Sequence, residues 1–155
     1  VIPTKNRQKY ALAAVESVLK MNARDGEVEV IIRDCSDDDT LCDLLKNRFL
    51  DEGRYQYIYD SSKPSMTKNW DLAFSEASGM YVCGIGDDDA VLNNILDVTK
   101  YMVQNNIDCM RQPITTFMWP DVTKSNFQNS MLSFSKFFNG NFEVCGSCKE
   151  LLLSD

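Results

Sequence analysis

Short apolar runs alternate with segments of helical spacing along most of this chain, and that alternation points to an α/β fold: a mostly parallel sheet with helices on both faces. Val1 and Ile2 read as the end of a first strand, broken by Pro3. Leu12, Val15 and Leu19 share one helical face, in a helix expected to end between Asn22 and Gly26. Val28 to Ile32 reads as a buried strand, Thr40 to Glu52 as a helix stopped at Gly53, and Tyr55 to Tyr59 as a strand. Trp70, Ala73, Phe74 and Ala77 mark the next helix, with Gly79 as its C′ residue. A strand over Tyr81 to Cys83 follows, then a helix carrying Leu92, Ile95 and Leu96. Beyond Asn106 the pattern loosens to short strands over Ile107 to Arg111 and Thr115 to Trp119, and a helix over Phe127 to Phe138.

In open parallel sheets the ligand site lies outside the carboxyl ends of the strands. Three polar segments fall there: Pro3 to Arg7, Asp34 to Asp38, and Gly86 to Asp89. The last is the most demanding, because Asp87, Asp88 and Asp89 are consecutive. Two like charges about 4 Å apart at an effective dielectric of about 20 repel by roughly 4 kcal/mol. Such a triplet either opens a helix, where capping and the macrodipole favour Asp, or holds a cation. Hard carboxylate oxygens suit Mg²⁺ or Mn²⁺, and Mg²⁺ is usually bound by one or two protein carboxylates plus substrate phosphates.

Composition narrows the partners. A net charge of −7 argues against nucleic-acid binding, which rests on Lys and Arg neutralising phosphates. An acidic chain can still bind a phosphorylated small molecule through a divalent cation. With 155 residues, 44% of them hydrophobic, the chain can bury a sizeable core as one domain. No apolar run approaches the length of a membrane span. The 6 cysteines read as reduced, cytosolic thiols rather than a disulfide framework. Cys145 and Cys148 have the spacing of half a zinc site or of a redox pair, but the chain contains no histidine and no second close pair. The absence of an initial Met and the apolar run from Glu150 to Asp155 lead us to expect a fragment truncated at both ends.

The ordered blocks Val1 to Arg7, Glu29 to Asp38, Asn69 to Val82 and Gly86 to Asp89 resemble those of family 2 glycosyltransferases with the GT-A fold, a Rossmann-like, mostly parallel sheet. The resemblance covers residues 1 to 95; Thr116 to Asp121 is similar to a stretch downstream of the metal motif in some bacterial members. It implies one domain over 1–155, with a nucleotide-sugar-binding part to about residue 95 and the start of an acceptor part from about 96.

By that resemblance, the turn carrying Pro3, Thr4, Asn6 and Arg7 belongs to the donor site, with Pro3 and Thr4 lining the base pocket. Asp34 matches an aspartate that accepts a hydrogen bond from the base, which suits the N3–H of uracil or thymine. Asp87 matches a contact to the ribose or to a metal-bound water, and Asp88 the ligand of a Mn²⁺ or Mg²⁺ ion that bridges the diphosphate. Asp89 is either a second ligand or the start of the acceptor pocket. Gly86 stands where many members have the first Asp of the motif, Arg33 replaces a common Asp, and Lys5 replaces an aromatic residue.

The implied reaction is transfer of a sugar, with inversion, from a nucleotide sugar, expected to be a UDP-sugar, to a saccharide, lipid-linked or protein acceptor. Such a transfer needs the charge on the leaving diphosphate neutralised and a general base for the acceptor hydroxyl. Asp121 and Glu143 lie in the right half but read better as surface acids, so the base is expected beyond Asp155. Lys63 and Lys68 are either phosphate contacts or solvated lysines. The expected setting is the cytosol or the inner face of a membrane. A nucleotidyltransferase of similar fold is the alternative enzyme, although Thr4 to Arg7 lacks the glycines of a phosphate loop. A non-catalytic metal- or nucleotide-binding fragment is the other; neither acidic segment has the spacing of an EF-hand.

Overall fold

The computed structural model describes residues 1–24, 26–92 and 94–110, and the backbone of 142–145 and 150–153. It comprises two compact units, Val1–Leu96 and Asp97–Asp155.

The first unit is built on β1 (Ile2–Thr4), β2 (Val30–Asp34) and β3 (Tyr55–Tyr59), all parallel in the order β1-β2-β3. The register sets Thr4 beside Asp34 and Asp34 beside Tyr59, so the carboxyl ends of the three strands form one row. Every residue of β2 is buried, as a central parallel strand requires. Period-two alternation sends Val30 and Ile32 into a core with Ala14, Val15, Leu41 and Leu45 from α1 (Gln8–Leu19) and α2 (Thr40–Arg48). Burying each large aliphatic side chain of this core stabilises the fold by about 1.5–3 kcal/mol. The opposite parity puts Ile31 and Arg33 on the face where α3 (Met66–Ser75) packs; the Asn69 amide of α3 donates to the Arg33 carbonyl at 3.1 Å.

The α/β class holds, but several boundaries move for identifiable reasons. Helix α1 stops at Leu19 because Arg54 donates to the Leu19 carbonyl at 2.7 Å and to that of Met21 at 3.5 Å, satisfying groups a longer helix would have used. Strand β2 starts two residues later than expected and runs into Asp34. Helix α2 ends at Arg48, where Phe49 turns into the core and meets Tyr55 edge-on at 6.3 Å. Helix α3 starts at Met66 behind the N-cap Ser65, whose hydroxyl accepts from the Lys68 N–H, and is capped at Glu76. Gly79 is not its C′ residue: the Ser78 and Gly79 N–H groups both donate to Glu29. Trp70 and Phe74 stack at 5.8 Å and lie over Gly84, where an added Cβ would come within 2.6 and 2.7 Å of their rings.

Tyr81 to Cys83 does not form the expected strand. The chain runs beside Val1, donating from Ile85 N–H to the Val1 carbonyl at 3.1 Å and accepting from the Val1 ammonium at Cys83 O at 2.7 Å. After the acidic triplet the chain stays irregular until α4 (Ile95–Gln104), with Val91 held by its N–H to Ser17 Oγ at 3.0 Å. The triplet therefore does not open a helix.

In the second unit, Met102 and Ile107 are buried, and Ile107 N–H closes on the Met102 carbonyl at 2.9 Å. Residues 107–110 are not a strand. An antiparallel pair that the sequence pattern did not reveal joins β4 (Phe142–Cys145) to β5 (Glu150–Leu153), so the terminal apolar run is a strand. The segments 115–119 and 127–138, together with Asp121 and Cys148, lie outside the described residues.

Candidate functional site

The turn after β1 and the acidic turn meet at the carboxyl end of the sheet. Thr4 is the last residue of β1, and its hydroxyl donates to Asp87 Oδ2 at 2.7 Å in a buried hydrogen bond. Arg7, the N-cap residue of α1, shares one guanidinium nitrogen between Asp87 Oδ1 at 3.0 Å and Asp88 Oδ2 at 2.8 Å. Its hydrogen bonds to Asp87 and then to Asp88 raise the guanidinium pKa further. Asp87 is buried, whereas the side chains of Arg7 and Asp88 are each 51% exposed.

Gly86 explains how the last two carboxylates are placed. An added Cβ at this position would lie 2.9 Å from Asp88 Oδ1 and 2.9 Å from Asp89 Oδ2, so both oxygens converge over its α-carbon. The Gly86 N–H also donates to Asp89 Oδ2 at 3.1 Å. An Asp at 86, as in the commoner motif, would fill this cradle. Among the described residues no three Asp, Glu or Cys side chains form a ready metal cage. Two converging carboxylates nevertheless fit a Mg²⁺ or Mn²⁺ ion whose remaining ligands are water and phosphate.

A second network ties the turn after β1 to the loops after β2 and β3. Asn6, held at a φ of 55°, donates its N–H to Ser36 Oγ at 2.7 Å. Its side-chain amide donates to Asp37 Oδ2 at 3.0 Å and accepts the Asp37 N–H at 2.9 Å. Lys63 completes the tie with an ammonium 2.5 Å from Asp37 Oδ1, and these bonds hold the Asp37 carboxyl below its usual range. Lys63 is thus an ion-pair partner of a neighbouring loop rather than a freely solvated lysine. Lys68 is exposed in the first turn of α3.

Asp34 is fully buried and already engaged, accepting from Ser36 N–H at 2.8 Å and from the Tyr57 hydroxyl at 2.9 Å. Burial, reinforced by this bond to Asp34, pushes the Tyr57 hydroxyl pKa well up, so it stays protonated. Arg33 pairs with Asp60, and its Nε and the Asn69 Oδ1 are buried without a hydrogen-bond partner. Pro3 is buried in β1 opposite Arg33, and Lys5 is exposed beside it in sequence.

The sequence pattern brought Thr4, Asn6, Arg7, the Asp34 to Asp38 segment and Asp87 to Asp89 to one end of the sheet, but assigned no role to Ser36 or Asp37 within that segment and did not place Tyr57 there. Tyr55, Tyr57 and Tyr59 share one face of β3, and that alternation was the available signal for Tyr57.

Residues 1–148 match the Glycosyl transferase family 2 profile. An uncharacterized glycosyltransferase of Rickettsia bellii is 32% identical over 108 residues, covering 68% of this chain and 15% of that protein. The putative colanic acid biosynthesis glycosyl transferase WcaA of Escherichia coli is 33% identical over 99 residues, covering 63% of this chain and 34% of its own. This chain thus spans well under half the length of these relatives. The crystal structure of S. aureus TarS 1-349 in complex with UDP superimposes with a TM-score of 0.68 at 20% identity, covering 94% of this chain and 40% of that one. The UDP-GlcNAc complex of the same protein gives 0.65 at 21% identity, covering 93% and 38%. These likenesses show the fold, an α/β domain of GT-A type. The chain belongs to glycosyl transferase family 2.

Proposed function

We propose that this chain is the donor-binding domain of a metal-dependent, inverting glycosyltransferase that takes a UDP-sugar. The observation that carries the reading is the junction of Thr4, Arg7, Asp87 and Asp88 at the carboxyl end of a parallel sheet, where such folds bind nucleotides. The UDP and UDP-GlcNAc bound to TarS support the choice of donor.

Pro3, Thr4 and Asn6 line the base and ribose side, and Asp87 orients the ribose. Arg7 meets the diphosphate with its fork of donors. Asp34 reads the base N3–H with a lone pair that Ser36 N–H and the Tyr57 hydroxyl leave open; because the side chain is fully buried, that contact requires the groups over it to move. Asp88 and Asp89 hold Mn²⁺ or Mg²⁺, which supplies Lewis-acid neutralisation of the leaving diphosphate when bound. The acceptor is a saccharide, lipid-linked glycan or protein, and no described residue is assigned as the base that deprotonates it. No helix among the described residues is long and apolar enough to cross a membrane. The proposed setting is the cytosol, with peripheral attachment at the inner membrane face if the acceptor is lipid-linked.

Calorimetric titration with UDP, GDP and dTDP, in Mn²⁺ and again in EDTA, tests the reading. UDP binds in Mn²⁺, loses affinity in EDTA, and fails to bind an Asp87→Asn, Asp88→Asn double variant. Equal binding by that double variant would sink the assignment.

A further inference from the structure

We infer that Arg7 holds the cation's place at the acidic turn and so makes cation binding depend on the diphosphate, an inference that rests on the donor-site reading above. The Asp88 carboxylate is divided: Oδ2 accepts from Arg7 at 2.8 Å, while Oδ1 converges with Asp89 Oδ2 over Gly86. A divalent ion held by Oδ1 therefore shares its ligand with a guanidinium that is charged at every working pH. Two positive charges on one carboxylate weaken each other's binding. Asp87 anchors the guanidinium through the same nitrogen, at 3.0 Å, so Arg7 does not simply drift away when the ion arrives.

A diphosphate changes the balance on both sides. It offers oxygens that complete the shell of the cation and a planar, bidentate partner for Arg7. The Arg7 side chain is 51% exposed, so with Asp87 as its anchor it turns from Asp88 to an incoming phosphate. Cation and nucleotide then bind with positive coupling, and each raises the affinity of the other by the same factor. Arg7 contacts the diphosphate in this scheme and is distinct from the metal ligands.

The test follows Mn²⁺ through loss of the free-ion electron paramagnetic resonance signal, with and without saturating UDP. Wild-type chain binds Mn²⁺ weakly alone and at least about tenfold more tightly with UDP. Arg7→Met binds Mn²⁺ alone about tenfold more tightly than wild type, and its gain from UDP shrinks to about threefold or less. Arg7→Lys, which keeps the charge without the fork, falls between them and serves if the Met variant does not melt cooperatively by circular dichroism. If a folded Arg7→Met variant binds Mn²⁺ alone no better than wild type while wild type still shows UDP-enhanced binding, Arg7 is not the placeholder and the donor-site reading survives. If wild type binds no Mn²⁺ even with UDP, both fall.

Discussion

Thr4 and Asp87 are 83 positions apart in sequence and joined by a 2.7 Å hydrogen bond in a buried setting. That contact fixes the acidic turn against the end of β1, where no regular ladder does so. Thr4→Val keeps the shape of the side chain and leaves Asp87 Oδ2 without its hydroxyl. Hydrogen bonds to charged groups contribute about 1.5–3 kcal/mol, and the variant is expected to lose that much in urea unfolding. Thr4→Ser retains most of it; an unchanged midpoint in the Val variant would show that the contact does not hold the turn.

Gly86 makes room for two carboxylates rather than for a turn, since its φ is not left-handed. Gly86→Ala therefore tolerates its backbone while its methyl pushes Asp88 and Asp89 out of convergence. Mn²⁺ affinity in the presence of UDP falls by about tenfold, equivalent to about 1.4 kcal/mol. The melting temperature barely moves, because the displaced groups face solvent. A large loss of stability with intact Mn²⁺ affinity would contradict this account.

Glu52 links acid stability to the far end of the sheet. Its hydrogen bond from Arg54 is the main reason its carboxyl pKa falls from 4.5 to about 2. A carboxyl depressed in the folded state contributes its stability above the unfolded value near 4.5 and loses it as pH falls toward 2. With the side chains 22% and 21% exposed, the contribution is on the order of 1–2 kcal/mol. Urea unfolding of Glu52→Gln should show a shallower decline between pH 5 and pH 2 than wild type. Parallel pH profiles for the two proteins would refute the linkage.

Where a local pattern decided the structure, the sequence was a good guide. Tyr55 to Tyr59 is a strand at both of its expected ends, because alternating aromatics suit a pleated, half-buried surface. Helices at Leu12 to Leu19 and Trp70 to Phe74 were legible from spacing, but their ends were set by distant groups, Arg54 for one and Glu29 near the other. The acidic triplet looked equally suited to a helix start, and only the irregular path to Ile95 removes that reading. In the site, the three polar segments were visible because parallel strands send their carboxyl ends to one edge. The pairings among them were not, since Arg7 reaches Asp88 across 81 positions with no periodicity to announce it. The bonds of Tyr57 to Asp34 and of Asn6 to Asp37 were hidden for the same reason.

The ties of Asn6 to Ser36 and Asp37, and of Asp37 to Lys63, make three loops interdependent. Grafting the loop after β2 from a relative would strand the Asn6 amide and the Lys63 ammonium. Chimeras that exchange all three segments together preserve these mutual contacts. Re-specifying this end of the sheet therefore calls for exchanging the three loops together, since a change in one removes contacts made by the two left behind.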